Sequence, residues 1–207
     1  MLMQKTVDDF LAELKSDAPA PGGGSVAALA GALGAALGVM VANLTLGSAK
    51  WCEAHEEAAG LRAELEAALQ SLSSYVDEDT EAFNKVMAAY KLPKSTDDEK
   101  VKRSLFIQSA LQEAARLPLA VAETCVGVVS LAGRILAIGN SNAASDAAVA
   151  GRMAHAGAWS ALYNVRINLA SIKDHDFVVT TGEAVHKLAG QADEALEELS
   201  RKAEEMI

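Results

Sequence analysis

From Val26 to Leu46 the chain runs for 21 residues without a charged side chain, and only Asn43 and Thr45 are clearly polar. A stretch of that length must either cross a bilayer or sit at the centre of a helical bundle. It is mostly Ala and Gly, whose membrane insertion is much less favourable than that of Leu or Ile, and it lacks the aromatic belts and basic flank of a span. The pattern therefore predicts a buried central helix and no membrane association. Gly31, Gly34 and Gly38 stand three and four residues apart, baring a strip of backbone for a close helix contact inside the subunit or across a dimer.

The rest of the composition agrees with a helical reading. The 207 residues include 42 Ala and only 4 Pro, which favours close-packed helices over sheets. That length supports one sizeable core, so the expectation is a single all-α domain over residues 1–207, a bundle of long helices. A net charge of −10 disfavours nucleic acid and anionic membrane surfaces as partners. The two cysteines, Cys52 and Cys125, have neither metal-knuckle nor CxxC spacing, which suits reduced thiols in a cytoplasmic protein. Lys5, Asp8 and Asp9 break up the N-terminus where an export signal would need an apolar run.

Periodicity and capping chemistry divide the chain. A short helix is predicted from Thr6 to Lys15, with Thr6 and Asp9 as a capping box. Pro19-Ala20-Pro21-Gly22-Gly23-Gly24 breaks it, and Ser25 is the expected N-cap of the Ala/Gly helix to Gly47. Leu61, Leu65, Leu69, Leu72, Val76, Phe83, Val86 and Tyr90 keep helical spacing through one long helix from Glu53 to Tyr90. Thr96 and Glu99 open the next, which Pro118 should kink without ending before Gly139. Asn140-Ser141-Asn142 caps a helix to about Ile172, and Thr180 with Glu183 caps the last. Phe177-Val178-Val179 is the one short stretch that reads as a strand.

Four groups of residues could carry chemistry. Gly22, Gly23, Gly24 and Ser25 put flexible backbone at a helix start, where amide N–H groups and the helix dipole welcome a carboxylate or phosphate; a simple close-packed cap fits the pattern equally well. Asp79 falls roughly 60° around the helix from Val76 and one turn before Phe83, on the apolar face, so it needs a partner or a function. Asp77 and Glu78 are expected to face solvent. On the following helix, Asp146, Met153, Gly157, Ser160, Asn164 and Asn168 form one line, and Arg152, His155, Trp159, Arg166 and Lys173 form a cationic stripe roughly opposite. A first-turn acid such as Asp146 also complements the helix dipole. Glu183 and His186 form a lone Glu-x-x-His, where a di-iron centre needs two, so no metal and no cofactor are expected.

Read in order, Pro19-Ala20-Pro21-Gly22-Gly23-Gly24-Ser25, Asp77-Glu78-Asp79-Thr80-Glu81-Ala82-Phe83-Asn84, Ala89-Tyr90-Lys91-Leu92-Pro93-Lys94, Asn140-Ser141-Asn142-Ala143 with Ser145-Asp146, and Asn164-Val165-Arg166-Ile167-Asn168-Leu169 resemble the cyclodeaminase/cyclohydrolase family of folate enzymes. The resemblance runs from about Val7 to Asp174. It implies an all-α homodimer acting on one-carbon tetrahydrofolates. The implied reaction is water addition to 5,10-methenyltetrahydrofolate, giving 10-formyltetrahydrofolate. The alternative is ammonia elimination from 5-formiminotetrahydrofolate; a non-catalytic helical interaction protein is the third. No formiminotransferase segment is visible, which tips the expectation toward the first.

The resemblance also implies roles. Asp79 and Asp146 would be the catalytic pair, Asp79 as acid/base and Asp146 with Asn164 placing water or the pterin. Gly22, Gly23, Gly24, Ser25, Lys91, Lys94, Asn140, Asn142, Arg166 and Asn168 would complete the folate site. The glycine-rich mouth, Lys91, Lys94 and Arg166 suit the anionic glutamate tail, and a buried carboxylate suits the methenyl cation.

Overall fold

A computed structural model describes residues 1–207. Six α-helices account for almost all of it: α1 (Val7–Leu14), α2 (Gly23–Leu46), α3 (His55–Tyr90), α4 (Asp97–Ile138), α5 (Ala144–Leu169) and α6 (His175–Met206), with short 3-10 turns at Leu2–Gln4, Ala49–Ala54 and Ser141–Ala143. No strand is present. Phe177-Val178-Val179 is helical and belongs to α6.

The charge-free segment is the central helix. α2 packs against α3, α4 and α5, and the strip of Gly31, Gly34 and Gly38 is where the neighbouring helices approach it closely. A Cβ on Gly31 would lie 2.4 Å from Cys125 Sγ, one on Gly34 2.6 Å from the Ala150 carbonyl, and one on Gly38 3.0 Å from the Leu65 side chain. All three contacts are inside the subunit. They run antiparallel with α3 (Gly38 to Leu65, Gly31 to Leu72) and antiparallel with α5 (Gly34 to Ala150 and Ala154, Gly31 to Gly157). Leu65, Leu72, Val76, Val128 and Leu162 fill the resulting core and are fully buried, so truncating one of the leucines to Ala would cost about 2–5 kcal/mol. Burial of Cys125 in this crossing pushes its thiol up to about 12.

Capping follows the predicted chemistry at some ends and not others. Thr6 and Thr96 both cap as expected, the latter in a full capping box with Glu99. Asn140 accepts from the Asn142 N–H at 3.0 Å, closing the turn before α5. Ser25, in contrast, is not an N-cap: Gly22 is, and Ser25 lies two residues inside the helix, fully buried. Thr180 and Glu183 lie within α6, because Asp174 accepts from Phe177 N–H at 3.1 Å and starts that helix six residues earlier. Phe177 and Val178 then pack on the small core around Ile107, Leu111 and Ile172.

Pro118 lies inside α4 without ending it. A proline cannot donate to the carbonyl four residues back. That carbonyl, on Ala114, accepts instead from Asn168 Nδ2 at 2.7 Å. At the N-terminus Leu2 is buried and its N–H donates to Asp77, so Asp77 holds the N-terminal turn and does not simply face solvent.

Candidate active site

The start of α2 is where the glycine-rich loop becomes chemistry. The first intrahelical bond runs from Val26 N–H to the Gly22 carbonyl at 3.1 Å, so the N–H groups of Gly23 and Gly24 precede the hydrogen-bonded ladder. The next N–H, that of Ser25, donates to Asp79 Oδ2 at 2.9 Å, and the Ser25 hydroxyl donates to the same oxygen at 3.0 Å. Asp79 thus reaches from α3 into the open end of α2. It can do so only because residue 24 has no side chain: a Cβ there would lie 2.0 Å from Asp79 Oδ1.

Asn164 closes the other side. A Cβ on Gly23 would lie 3.4 Å from Asn164 Nδ2, and that nitrogen donates to the Ser160 carbonyl at 2.8 Å. Asn168 stands one turn beyond Asn164 on α5, its amide committed to Ala114. Gly23, Gly24, Ser25, Asp79 and Asn164 therefore converge from three helices on one mouth. Burial pushes the Asp79 carboxyl above its ordinary range, and this outweighs the two bonds from Ser25, which pull it down. The result is a carboxyl with raised proton affinity under two free backbone donors, a group able to take a proton from water and return it.

Other residues expected at the site lie elsewhere. Asp146 is in the first turn of α5, 18 residues from Asn164, which puts it about 27 Å away along the same helix. Asn140 and Asn142 belong to that far end, where Thr45 Oγ1 accepts from Asn140 N–H at 2.9 Å. Lys91 and Lys94 are exposed just past the end of α3, 12 and 15 residues beyond Asp79. Arg166 turns away from the mouth, its guanidinium 5.6 Å from the Trp159 ring and 5.8 Å from the Tyr163 ring. Of the predicted cationic stripe, Arg152, His155 and Trp159 face α6: Arg152 donates to Ser200, and His155 and Trp159 share Asp193 Oδ1 at 2.8 and 2.7 Å; Lys173 lies past the end of α5 and is not on the stripe. Within one subunit, then, the expected folate residues fall into two groups at opposite ends of the α2–α5 pair. No three His, Cys, Asp or Glu side chains converge as ligands for a metal ion.

Ser25 bonding Asp79 is a pairing that sequence reasoning missed, having assigned Ser25 to a cap. The available signal was the third glycine: only a residue without a side chain at position 24 leaves room for a neighbouring helix's carboxylate.

Comparison with known proteins places this arrangement. The chain is 42% identical to methenyltetrahydrofolate cyclohydrolase of Methylorubrum extorquens over 94% of its own length and 92% of that protein's. It is 35% identical to the formimidoyltransferase-cyclodeaminase of Sus scrofa over 92% of its length, but spans only 35% of that longer protein. Among solved structures, a formiminotetrahydrofolate cyclodeaminase from Thermotoga maritima superposes with a TM-score of 0.88 at 29% identity, covering 99% of this chain and 98% of the other. Residues 6–187 match the profile of the formiminotransferase-cyclodeaminase family. With the match spanning nearly every helix, the chain belongs to that family and is an enzyme.

Proposed function

We propose that this protein is a cytoplasmic, metal-independent cyclohydrolase that opens 5,10-methenyltetrahydrofolate to 10-formyltetrahydrofolate. The observation that carries the reading is the Asp79 carboxylate held by Ser25 across Gly24. Asp79 takes a proton from a water that attacks the methenyl carbon, discharging the cation. Asp79 then returns the proton to N5 as the C–N5 bond breaks, while the new hydroxyl loses its proton to become the formyl carbonyl. One water is consumed and one proton released. The Gly23 and Gly24 N–H groups polarise the oxygen that carries developing charge, and Asn164 orients the pterin edge. Lys91 and Lys94, further along α3, suit the glutamate tail of an extended ligand.

Ammonia elimination from 5-formiminotetrahydrofolate is the second reading, favoured by the close fold match to a protein of that name. The same carboxyl would then protonate the departing nitrogen. Purified protein added to methenyltetrahydrofolate should speed the loss of its absorbance over the buffer rate. No acceleration, with ammonia released from the formimino compound, would replace the first reading by the second.

The working form is a homodimer in this proposal. The outer face of α2 carries Val26, Leu29, Leu33, Leu37, Met40 and Leu44, with Leu33 49% and Leu44 46% exposed. A charge-free face is self-complementary under a two-fold axis, and antiparallel packing also opposes the helix dipoles favourably. An antiparallel partner laid over α2 and α5 sets its own Asp146 end against the Asn164 end here. Asp146, Asn140 and Asn142 then join the mouth from the second subunit.

A further inference from the structure

Nine aromatic side chains occur in the chain, and most of their rings already have an occupant. Lys50 covers Trp51, Arg103 covers Tyr90, Arg116 covers Phe177, and Arg166 covers both Trp159 and Tyr163, all with the cation 4.9 to 5.8 Å from the ring centroid. Phe10 and Tyr75 pack into the main core. Two rings remain, Phe83 and Phe106. Phe106 is 60% exposed and lines a groove between α3 and α4 beside Leu92. Phe83 is half-buried, joins none of the three core clusters, and carries no cation.

Its position gives that open ring a meaning. Phe83 follows Asp79 by four residues on α3, so the two share a face about one turn apart. Helical side chains lean toward the N-terminus, which brings the Phe83 ring back over the Asp79 turn. The antiparallel register of α2 and α3, with Gly31 opposite Leu72 and Gly24 opposite Asp79, sets Phe83 about one helical turn beyond the first N–H groups of α2. An aromatic position therefore lies one turn from the carboxylate on the same face of α3, and no cation of this chain fills its ring.

Resting on the cyclohydrolase reading above, we infer that Phe83 is a specificity-determining residue: its ring covers the planar, cationic methenyl ring of the substrate and binds it through its charge. Aromatic faces attract cations and hold neutral rings more weakly. Water addition discharges the cation, so this attraction acts on bound substrate and fades along the reaction. The neutral product is held less tightly and leaves.

Phe83→Leu keeps apolar volume and removes the π-face. Its KM for methenyltetrahydrofolate should rise by about 5- to 30-fold with kcat unchanged or higher, while inhibition by neutral tetrahydrofolate weakens by less than about threefold. Phe83→Tyr, which keeps the ring, should keep the wild-type KM. The inference is overturned if Phe83→Leu leaves KM unchanged, if cationic and neutral folates weaken equally, or if folded Phe83→Tyr behaves like Phe83→Leu. Wild-type turnover tests the reaction separately. Should wild type bind methenyltetrahydrofolate without hydrolysing it, the ratio of cationic to neutral affinity in wild type against Phe83→Leu decides the role of Phe83 by itself.

Discussion

The two ends of the α2–α5 pair use similar residues for different purposes. At the Asn140 end, polar side chains satisfy local backbone: Thr45 Oγ1 donates to the Val41 carbonyl and accepts from Asn140 N–H, and Asn140 accepts from Asn142 N–H. Those bonds secure a tight connection between α4 and α5. At the Gly23 end the bonds run between helices distant in sequence, Asp79 to Ser25, and leave two N–H groups and a carboxyl with unused capacity. Spare hydrogen-bonding capacity in a sheltered place has a cost in folding, so the second end is the one shaped for a ligand.

Asp79→Asn should break that contrast most completely. It preserves shape and removes the exchangeable proton, so turnover should fall by roughly 10² to 10⁴ while the protein stays folded. Steady-state kinetics on a variant with a wild-type circular dichroism spectrum checks this. Near-full turnover would mean that the polar groups of the Gly23 end serve the packing of α2 on α3 and not the reaction.

Mixed dimers come next in size, and they ask whether the two ends meet across subunits. If Asp146 of one subunit serves the Asp79 of the other, Asp79→Asn and Asp146→Asn proteins dissociated and reassembled together form one intact site in each mixed dimer. Activity should recover to about a quarter of wild type at equal amounts. If each site draws both residues from one subunit, mixing recovers nothing.

Two glycines on α2 sharpen the comparison further. Gly24→Ala thrusts a methyl at the flexible end of the Asp79 side chain, which can swing away; Gly34→Ala thrusts one at the Ala150 backbone, which cannot. Gly34→Ala should cost about 1–3 kcal/mol of stability. Gly24→Ala should lower Tm less and activity more. Paired melting curves and kinetics on both variants measure the crossover.

Much of this was legible in the sequence where periodicity and local chemistry decide. The charge-free run of α2, the glycine strip and the Thr6 and Thr96 caps all depend on residues within a few positions of one another. Asp79 on the apolar face was legible for the same reason. Facing relations were not: the phase of α5 puts Arg166 opposite Asn164, but that its guanidinium folds back on Trp159 and Tyr163 of the same helix is a choice of side-chain conformation that spacing alone does not fix. The start of α6 was missed because two caps compete within six residues, and packing of Phe177 and Val178 selects Asp174. Asn168 looked like a ligand residue, yet its amide replaces the bond that Pro118 cannot make, a relation joining positions 54 apart. The distance from Asp146 to Asp79 follows from the antiparallel helix order, which a single helical wheel does not contain.

The smallest effect is the pH dependence of stability at the Gly23 end, and its sign is opposite to that of an ordinary ion-paired carboxylate. Burial raises Asp79 above its ordinary value, so the folded protein holds this proton more tightly than the unfolded chain does. The stabilisation from the protonated group is fully present below the unfolded pKa and is lost as pH rises through the higher folded pKa. Asp79→Asn carries no ionisable group there, so the variant should gain Tm relative to wild type across that window and keep a constant difference above it. Catalysis runs the other way, since proton abstraction from water requires the carboxylate: kcat/KM should climb over the same window in which wild type loses its relative stability. Thermal melts of both proteins from acid to neutral pH, set beside the wild-type pH–rate profile, test the pair. A Tm difference that moves in wild type's favour as pH rises would mean that Ser25 and the start of α2 stabilise the anion more than burial penalises it, and Asp79 would then be an anchor for α2 with no raised proton affinity to use.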